Sequence, residues 1–425
     1  MDTDWTEDEV RVNGGAAPLP AVPAQPNRSA AASPARVTPL PPGTRLLHIG
    51  PHKTGTTAVQ GALFAARDRL PEHGVVFPAD SRHPMGAVLA ACARPGMMGD
   101  ARPRAEQWTR LLDQVRASGA RTSVVSSEFF ADAEDDGTVA RVIEELGGRE
   151  RVHVLVTLRP LAKIMPSQWQ QYVQNGLRMG YEDWLEHMLR KPPYDKPNPS
   201  FWRRHRHDRL VERWVRALGA ERVTVVVVDD RDRDGLMRTF EGLLGLPEHV
   251  LRPAVDTANR SLSLAETEML RHLNVEFRAH GLPEQLYSRL IRYGAVMHMK
   301  NVYAPTPEDV KIFTPRWAVE AAAGIGAEMA ERIKGTGVRV VGDVALLSEV
   351  PEQRAERRPE GAARLAPEAA AHALYGALAA VVATPPPKPV APPRQAPRPR
   401  TVHQTPTKEL VRVVGHRCLK RLRLR

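Results

Sequence analysis

Five short stretches of this chain are dominated by β-branched and other apolar residues: LLHI at 46–49, VVF at 75–77, SVVS at 123–126, VHVLVT at 152–157 and VTVVVV at 223–228. A strand with one face in water alternates apolar and polar residues. A strand covered on both faces has no such need, and several of these runs are continuous. Amphipathic stretches at 58–70, 106–117, 139–146, 167–175 and 210–218 lie between them. This alternation predicts an α/β fold with a central parallel sheet and helices on both faces, a three-layer arrangement. Residues 262–335 read as mainly helical, so the C-terminal part of the body is expected to be α-rich. GVRVVGDVALL (337–347) is a further strand or edge candidate.

Composition sets the limits of that body. Residues 1–43 are rich in Ala, Pro and Ser, lack periodic apolar spacing, and are expected to be a disordered segment. The body is expected over 44–350. Residues 351–406 read as partly helical, around 369–382, and then as a Pro-rich linker, PPPKPVAPPRQAPRPR, of stiff extended character. TKELVRVVGHRCLKRLRLR (407–425) spaces Leu410, Val411, Val414, Cys418 and Leu422 at helical intervals among cations, a basic amphipathic tail.

The net charge of +11 invites a nucleic-acid reading. Its distribution opposes one. Residues 351–425 hold 15 Lys/Arg against 5 Asp/Glu, and 1–43 hold 3 against 5, which leaves the body near neutral. No specific nucleic-acid partner is expected. The two cysteines, Cys92 and Cys418, form no CxxC pair, which argues against a disulfide framework or cysteine zinc site. The acidic N-terminus is unlike a secretory signal, and no apolar stretch reaches the ~20 residues needed to span a bilayer. A cytoplasmic location is the expectation. The tail is read either as a peripheral contact with the inner membrane face or an acidic partner, or as a basic segment touching nucleic acid nonspecifically.

Between the first strand and first helix stands HIGPHKTGTTAVQ (48–60). A strand, a Gly-containing turn and a helix start form an anion site, because the first N–H groups of a helix are unpaired and its dipole adds positive charge. Val59, Ala62, Leu63, Ala66 and Leu70 then recur at helical spacing. In a Walker A loop, GxxxxGK[ST], the lysine directly follows the second glycine and the hydroxyl holds Mg²⁺. Here Lys53 precedes Gly55 by two residues, and no GK[ST] hydroxyl exists.

Lys-Thr-Gly-Thr-Thr after an apolar strand resembles the 5′-phosphosulfate loop of the sulfotransferase superfamily. Those enzymes transfer sulfuryl groups from 3′-phosphoadenosine 5′-phosphosulfate (PAPS) without a metal. The resemblance implies that His52, Lys53, Thr54, Gly55, Thr56 and Thr57 bind the 5′ end of PAPS, with Lys53 at the bridging and leaving oxygens. It also implies an arginine at a strand end and a serine in the next helix for the 3′-phosphate. Arg159 and Ser167 stand eight residues apart in that relation. Arginine suits the role because its planar fork donates two parallel hydrogen bonds. Pro166 departs from the pattern and is expected to begin or kink a helix there. The segments at 167–171, 209–230, 259–263 and 337–347 also resemble a bacterial branch of this superfamily, and the likeness covers roughly 44–350.

Sulfuryl transfer needs in-line positioning, charge stabilisation and a base for the acceptor proton. Two residues compete for the base. Glu128 ends the strand in TSVVSSEFF beside two phenylalanines that would raise its pKa by desolvation. His83, in ADSRHPMGAVLA, is poised near neutral pH without tuning. Trp169, Tyr172, Trp184, Phe201 and Trp202 read as core, with a stacking role for one of them against the adenine or a sugar acceptor as the alternative. Arg260 and Arg316 read as surface residues or as helpers at the cofactor's phosphates. FWRRHRHDR (201–209) reads as a solvated loop or a receptor for an anionic acceptor. The acceptor class is left open among carbohydrate, lipid, glycopeptide and small-metabolite hydroxyls. The rival assignments are a P-loop kinase or NTPase, for which Asp229-Asp230 is the nearest metal-binding pair, and a non-catalytic protein of the same fold. No metal is expected.

Overall fold

A computed structural model describes residues 37–119, 121–190, 198–253, 260–307, 309–350 and 364–383. Six parallel strands form one sheet: β1 (Arg45–His48), β2 (Val75–Val76), β3 (Thr122–Ser126), β4 (Val152–Leu158), β5 (Val223–Val227) and β6 (Arg339–Val341), in the order β2-β3-β1-β4-β5-β6. The run at 337–347 thus supplies an edge strand paired to β5.

The helices in chain order begin with α1 (Thr56–Ala66), α2 (Met85–Ala91), α3 (Ala105–Ala117), α4 (Asp136–Glu145) and α5 (Leu161–Val173). Then come α6 (Tyr181–Leu189), α7 (Ser200–His205), α8 (His207–Leu218), α9 (Gly235–Leu244) and α10 (Leu264–Ala279). The one-turn α11 (Glu284–Leu286) runs into a π-helical stretch, Tyr287–Val296, and α12 (Met297–Val302). The last two are α13 (Arg316–Gly335) and α14 (Pro367–Val382).

The continuous apolar strands resolve into two faces because successive side chains point opposite ways. Leu46, Val124, Leu155 and Val226 pack with Val59 and Leu63 of α1 and Phe240 of α9. Their neighbours Leu47, Val125, Val154, Val156 and Val225 pack against α3, α4 and α8 on the other face. A third cluster joins α5, α6, α7, α12, α13 and α14 into a helical layer with Trp169, Trp184 and Phe201 at its centre. The three-layer α/β architecture with an α-rich C-terminal part is therefore present.

Both predicted boundaries shift outward. Val37 and Leu40 pack on the α1–α9 cluster, and the Leu40 N–H donates to the Leu243 carbonyl at 2.8 Å, so the packed body starts before residue 44. The helix expected around 369–382 is present as α14, and its Ala369 and Ala373 are buried in the helical layer, so it packs on the body. The rest of the predicted N-terminal segment, the Pro-rich stretch and the basic tail lie outside the described residues.

Pro166 stands inside α5 rather than at its start. The helix begins at Leu161, directly after Pro160, and the missing N–H of Pro166 leaves one carbonyl of the first turn without its helical donor. Ser167 consequently sits in the second turn.

Trp214 of α8 is fully buried in the cluster beneath the sheet. Trp214→Ala is expected to lower unfolding stability by about 3–5 kcal/mol, the usual cost of an indole-sized cavity, measured by denaturant titration.

Candidate functional site

The chain crosses from β3 on one side of β1 to β4 on the other, so the gap beyond the C-terminal ends of β1 and β4 is the switch point of the sheet, where open α/β folds bind ligands. The turn 49–55 follows β1, and Arg159 follows β4. The sequence-predicted loop and arginine therefore follow neighbouring strands at the same edge of the sheet.

The turn is held from below by a buried polar group. His48, the last residue of β1, is fully buried. Its Nδ1 lies 2.8 Å from Ser126 Oγ and its Nε2 3.1 Å from Thr157 Oγ1, so one imidazole ties β3 to β4 beneath the loop. Burial pushes its pKa down to about 3, so the ring is neutral. Thr54 completes the group. Its hydroxyl donates to the Pro51 carbonyl at 2.7 Å and lies 2.9 Å from Thr157 Oγ1. Gly50 is required by the tight fit, since a Cβ there would stand 2.2 Å from Thr157 Oγ1 and 2.6 Å from His48 Nε2.

Above this support the backbone turns sharply. Lys53 has φ 71° and Gly55 φ 97°, both left-handed. A non-glycine residue there costs of the order of 1–3 kcal/mol and persists only where neighbours over-determine it. The hydrogen bonds of Thr54 do so. Gly55 caps α1, whose first turn carries no acidic residue, and the Ala58 N–H is already taken by the Gly55 carbonyl at 3.0 Å. The N–H groups of Thr56 and Thr57 open the helix and leave an N-terminus suited to an anion. The hydroxyls of Thr54 and Thr56 both turn inward, the latter donating to the Gly50 carbonyl at 3.3 Å.

Lys53 points across the crevice and donates to Gln171 Oε1 of α5 at 3.1 Å. Burial and the charge of Lys300 lower its pKa to about 8, against an opposite pull from Glu128. His52 packs edge-on to Phe129, its Nε2 buried without a partner, and burial followed by Arg204 and Lys53 keeps it neutral.

Arg159 at the end of β4 pairs with Asp230 beyond β5 at 2.7 Å, and Lys163 reaches the same carboxylate at 3.2 Å. Each of the three side chains is about a third exposed or less, so this triad is a modest, solvent-screened association. Ser167 donates to the Ile164 carbonyl at 2.9 Å. Lys163, Ser167 and Gln171 occupy successive turns on one side of α5. Lys163 joins the Arg159 triad at one end of that line and Gln171 holds Lys53 at the other, and the helix rises about 12 Å between those two positions.

Glu128 and His83, the rival bases, belong to one hydrogen-bond chain. The Gln60 amide nitrogen donates to the Ser126 carbonyl at 2.8 Å and reaches Glu128 Oε2 at 3.5 Å, while its Oε1 lies 2.6 Å from His83 Nδ1. The Ser126 carbonyl only accepts, which fixes the amide orientation. His83 Nδ1 must then carry the proton. Burial raises the Glu128 pKa, partly offset by its own backbone N–H, Lys53, Arg204 and Gln60.

Other candidates are placed elsewhere. FWRRHRHDR is helical in α7 and α8 rather than a solvated loop, and Arg203 and Arg204 are bound to buried Asp132 at 3.1 and 2.6 Å. Burial alone would raise the Asp132 pKa. The hydrogen bonds and charges of Arg204 and Arg203 outweigh it and hold the carboxyl below its ordinary range. Arg260 bonds Glu266 at 2.7 Å and the Met299 carbonyl at 2.9 Å, and Arg316 bonds Glu320, so each is paired with a carboxylate of its own. Trp169, Tyr172, Trp184 and Phe201 are core. Asp229 is engaged by Arg231 and Asp230 by Arg159. Among the described residues no cluster of three His, Cys, Asp or Glu side chains is arranged to hold a metal.

Sequence reasoning missed His48, Gln60, Thr157 and Gln171. The first three carry one signal: a polar residue ending or interrupting a run that is otherwise buried.

No family model matches the chain, and no curated protein does. Among solved structures it is similar to a sulfotransferase from Alicyclobacillus acidocaldarius, at 17% identity, over 56% of this chain and 96% of that one, with a TM-score of 0.37. An overlap of that score leaves the geometry above as the ground for function.

The lowered Lys53 pKa has a measurable sign. The unfolded chain binds more protons between about 8 and the ordinary 10.5, so this lysine's contribution to stability rises with pH across that window. An anion at the turn needs the protonated amine. Affinity for 3′-phosphoadenosine 5′-phosphate, by calorimetry, should fall as pH rises past about 8, and Lys53→Ala should flatten that fall.

Proposed function

We propose that this chain is a sulfotransferase-type enzyme that binds PAPS at the β1/β4 switch point and passes its sulfuryl group to a hydroxyl or amine of an acceptor. One observation carries the reading: the Lys53 turn and the Arg159–Lys163 cations border opposite ends of one side of α5. A nucleoside with a phosphate at each end fits two such anchors, and ATP, with its charge at one end, makes poor use of the second. The lysine order and the missing GK[ST] hydroxyl support the same choice over a Mg²⁺-dependent kinase or NTPase.

In this reading the Thr56 and Thr57 N–H groups and Lys53 hold the 5′-phosphosulfate. The acceptor oxygen attacks sulfur in line, the bond from sulfur to the bridging oxygen breaks, and the departing 5′-phosphate takes the electron pair. Lys53 balances that developing charge. The acceptor proton passes to Glu128, whose raised pKa suits the task. His83 acts through Gln60, steadying the glutamate rather than competing with it. Arg159 and Ser167 take the 3′-phosphate, which requires Arg159 to exchange Asp230 for phosphate oxygens. The acceptor class remains the set of carbohydrate, lipid, glycopeptide and small-metabolite hydroxyls or amines.

Thermal-shift titration should show stabilisation by 3′-phosphoadenosine 5′-phosphate without metal; stabilisation by ATP with Mg²⁺ alone would overturn the assignment. Transfer from radiolabelled PAPS across an acceptor panel then identifies the second substrate. Lys53→Ala should abolish transfer with the fold intact. Arg159→Ala should weaken the bisphosphate by ~1.5–3 kcal/mol, the value of charge-assisted hydrogen bonds. Asp230→Asn should tighten it severalfold by releasing Arg159 and leaving Lys163 only its longer pairing with Glu349. Glu128→Gln should lower kcat by ~10²–10⁴-fold with donor affinity nearly unchanged.

A further inference from the structure

Helix α14 is built the wrong way round for a helix at a water interface. Its inner side is small: Ala369, Ala373 and Gly376 pack on the π-helical stretch and α12, and Gly376 meets Gly294 so closely that a Cβ on either would stand within 2.8 Å of the other's carbonyl oxygen. That contact settles which side faces the body. The opposite side carries the large residues: Leu374 is 68% exposed, Tyr375 60%, Leu378 66%, Val381 49% and Val382 85%. At helical periodicity these five fall within an arc of about 120°, a continuous stripe. The stripe continues onto the neighbouring helix. Tyr375 packs against His298 of α12, and Val302, one turn on from His298, is 53% exposed. Lone apolar residues on a surface are ordinary, whereas a contiguous patch marks something that covers it.

Charge identifies the occupant. Residues 384–425, which follow the helix directly, contain eleven Lys/Arg and one acid, Glu409. A second copy of this chain seated on the stripe would bring two such cationic segments together, and like charge opposes that pairing. An anionic lipid surface accepts both parts, with leucine and valine in the acyl boundary, tyrosine at headgroup level and cations on the phosphates. The helix has 16 residues, shorter than the ~20 needed to span a bilayer and long enough to lie along its surface.

We propose that the outward face of α14, Leu374, Tyr375, Leu378, Val381 and Val382 with Val302 beside it, is a docking surface for an anionic membrane, assisted by the cationic segment that follows.

Flotation of the full chain with phosphatidylcholine vesicles, with and without phosphatidylserine, tests this independently of any transfer reaction. The wild type should float with the phosphatidylserine vesicles and remain behind with phosphatidylcholine alone. Leu374→Ser with Leu378→Ser should reduce flotation at least about tenfold, since two leucine-sized insertions are lost. Circular dichroism and Tm should not change, because both side chains already face water. Leu374→Met with Leu378→Met should retain binding. Deleting 384–425 should weaken binding and remove its salt sensitivity. The proposal is overturned if the wild type ignores anionic vesicles or the double serine variant floats like the wild type. It is equally overturned if light scattering shows a dimer that the serine variant dissolves.

Discussion

The buried hydrogen bonds of His48 hold the rest of the site in place. A neutral imidazole joins Ser126 on β3 to Thr157 on β4, and Thr157 in turn meets Thr54, the residue between Lys53 and Gly55. This fixes the turn after β1 against the strands on both its flanks. It also allows a lysine to occupy a left-handed conformation that would otherwise relax. Lys53 therefore reaches toward α5 because of a polar group on the far side of the loop. The support carries no net charge, which leaves the positive potential of the α1 N-terminus undiminished for a ligand.

The electrostatics around that turn divide into cations already compensated and cations held in reserve. Arg203, Arg204 and Arg260 are committed to Asp132 and Glu266, all in buried or nearly buried pairs that cost much to break. Arg159 and Lys163 meet at Asp230 in a partly exposed site, with Glu349 3.8 Å from Lys163 as well, and exchange for a phosphate there costs little. Lys53 is held by a neutral amide and has a depressed pKa, so it gains most when negative charge arrives. The distinction separates the structural arginines from the cations proposed to meet a ligand better than their positions along the chain do.

Much of the fold was legible in the sequence because burial on both faces leaves an unmistakable pattern. The apolar runs at 46–49, 123–126, 152–157 and 223–228 became β1, β3, β4 and β5, with ends displaced by a residue or so. The turn at 50–55 and the helix start at Thr56 were legible from the glycines and their place after an apolar strand; that the turn holds an anion is the proposal made above. What failed were local rules overridden by tertiary contacts. Pro166 reads as a helix start or a kink, and it stands inside α5, which begins five residues earlier because Pro160 supplies the N-terminal geometry and the helical layer buries Leu161 and Met165. FWRRHRHDR reads as a solvated loop, yet Asp132, seventy residues away, draws its arginines inward. The link from Glu128 through Gln60 to His83 joins three elements, and no local spacing encodes it.

The account depends on two cationic anchors gripping the two ends of one nucleotide. The most direct test compares the affinities of 3′-phosphoadenosine 5′-phosphate and adenosine 5′-monophosphate in the wild type and in Arg159→Ala. Wild type should prefer the bisphosphate, and the substitution should erase that preference while leaving monophosphate affinity unchanged. A preference that survives the substitution, or an equal loss for both ligands, would place Arg159 outside the nucleotide's reach and contradict the account.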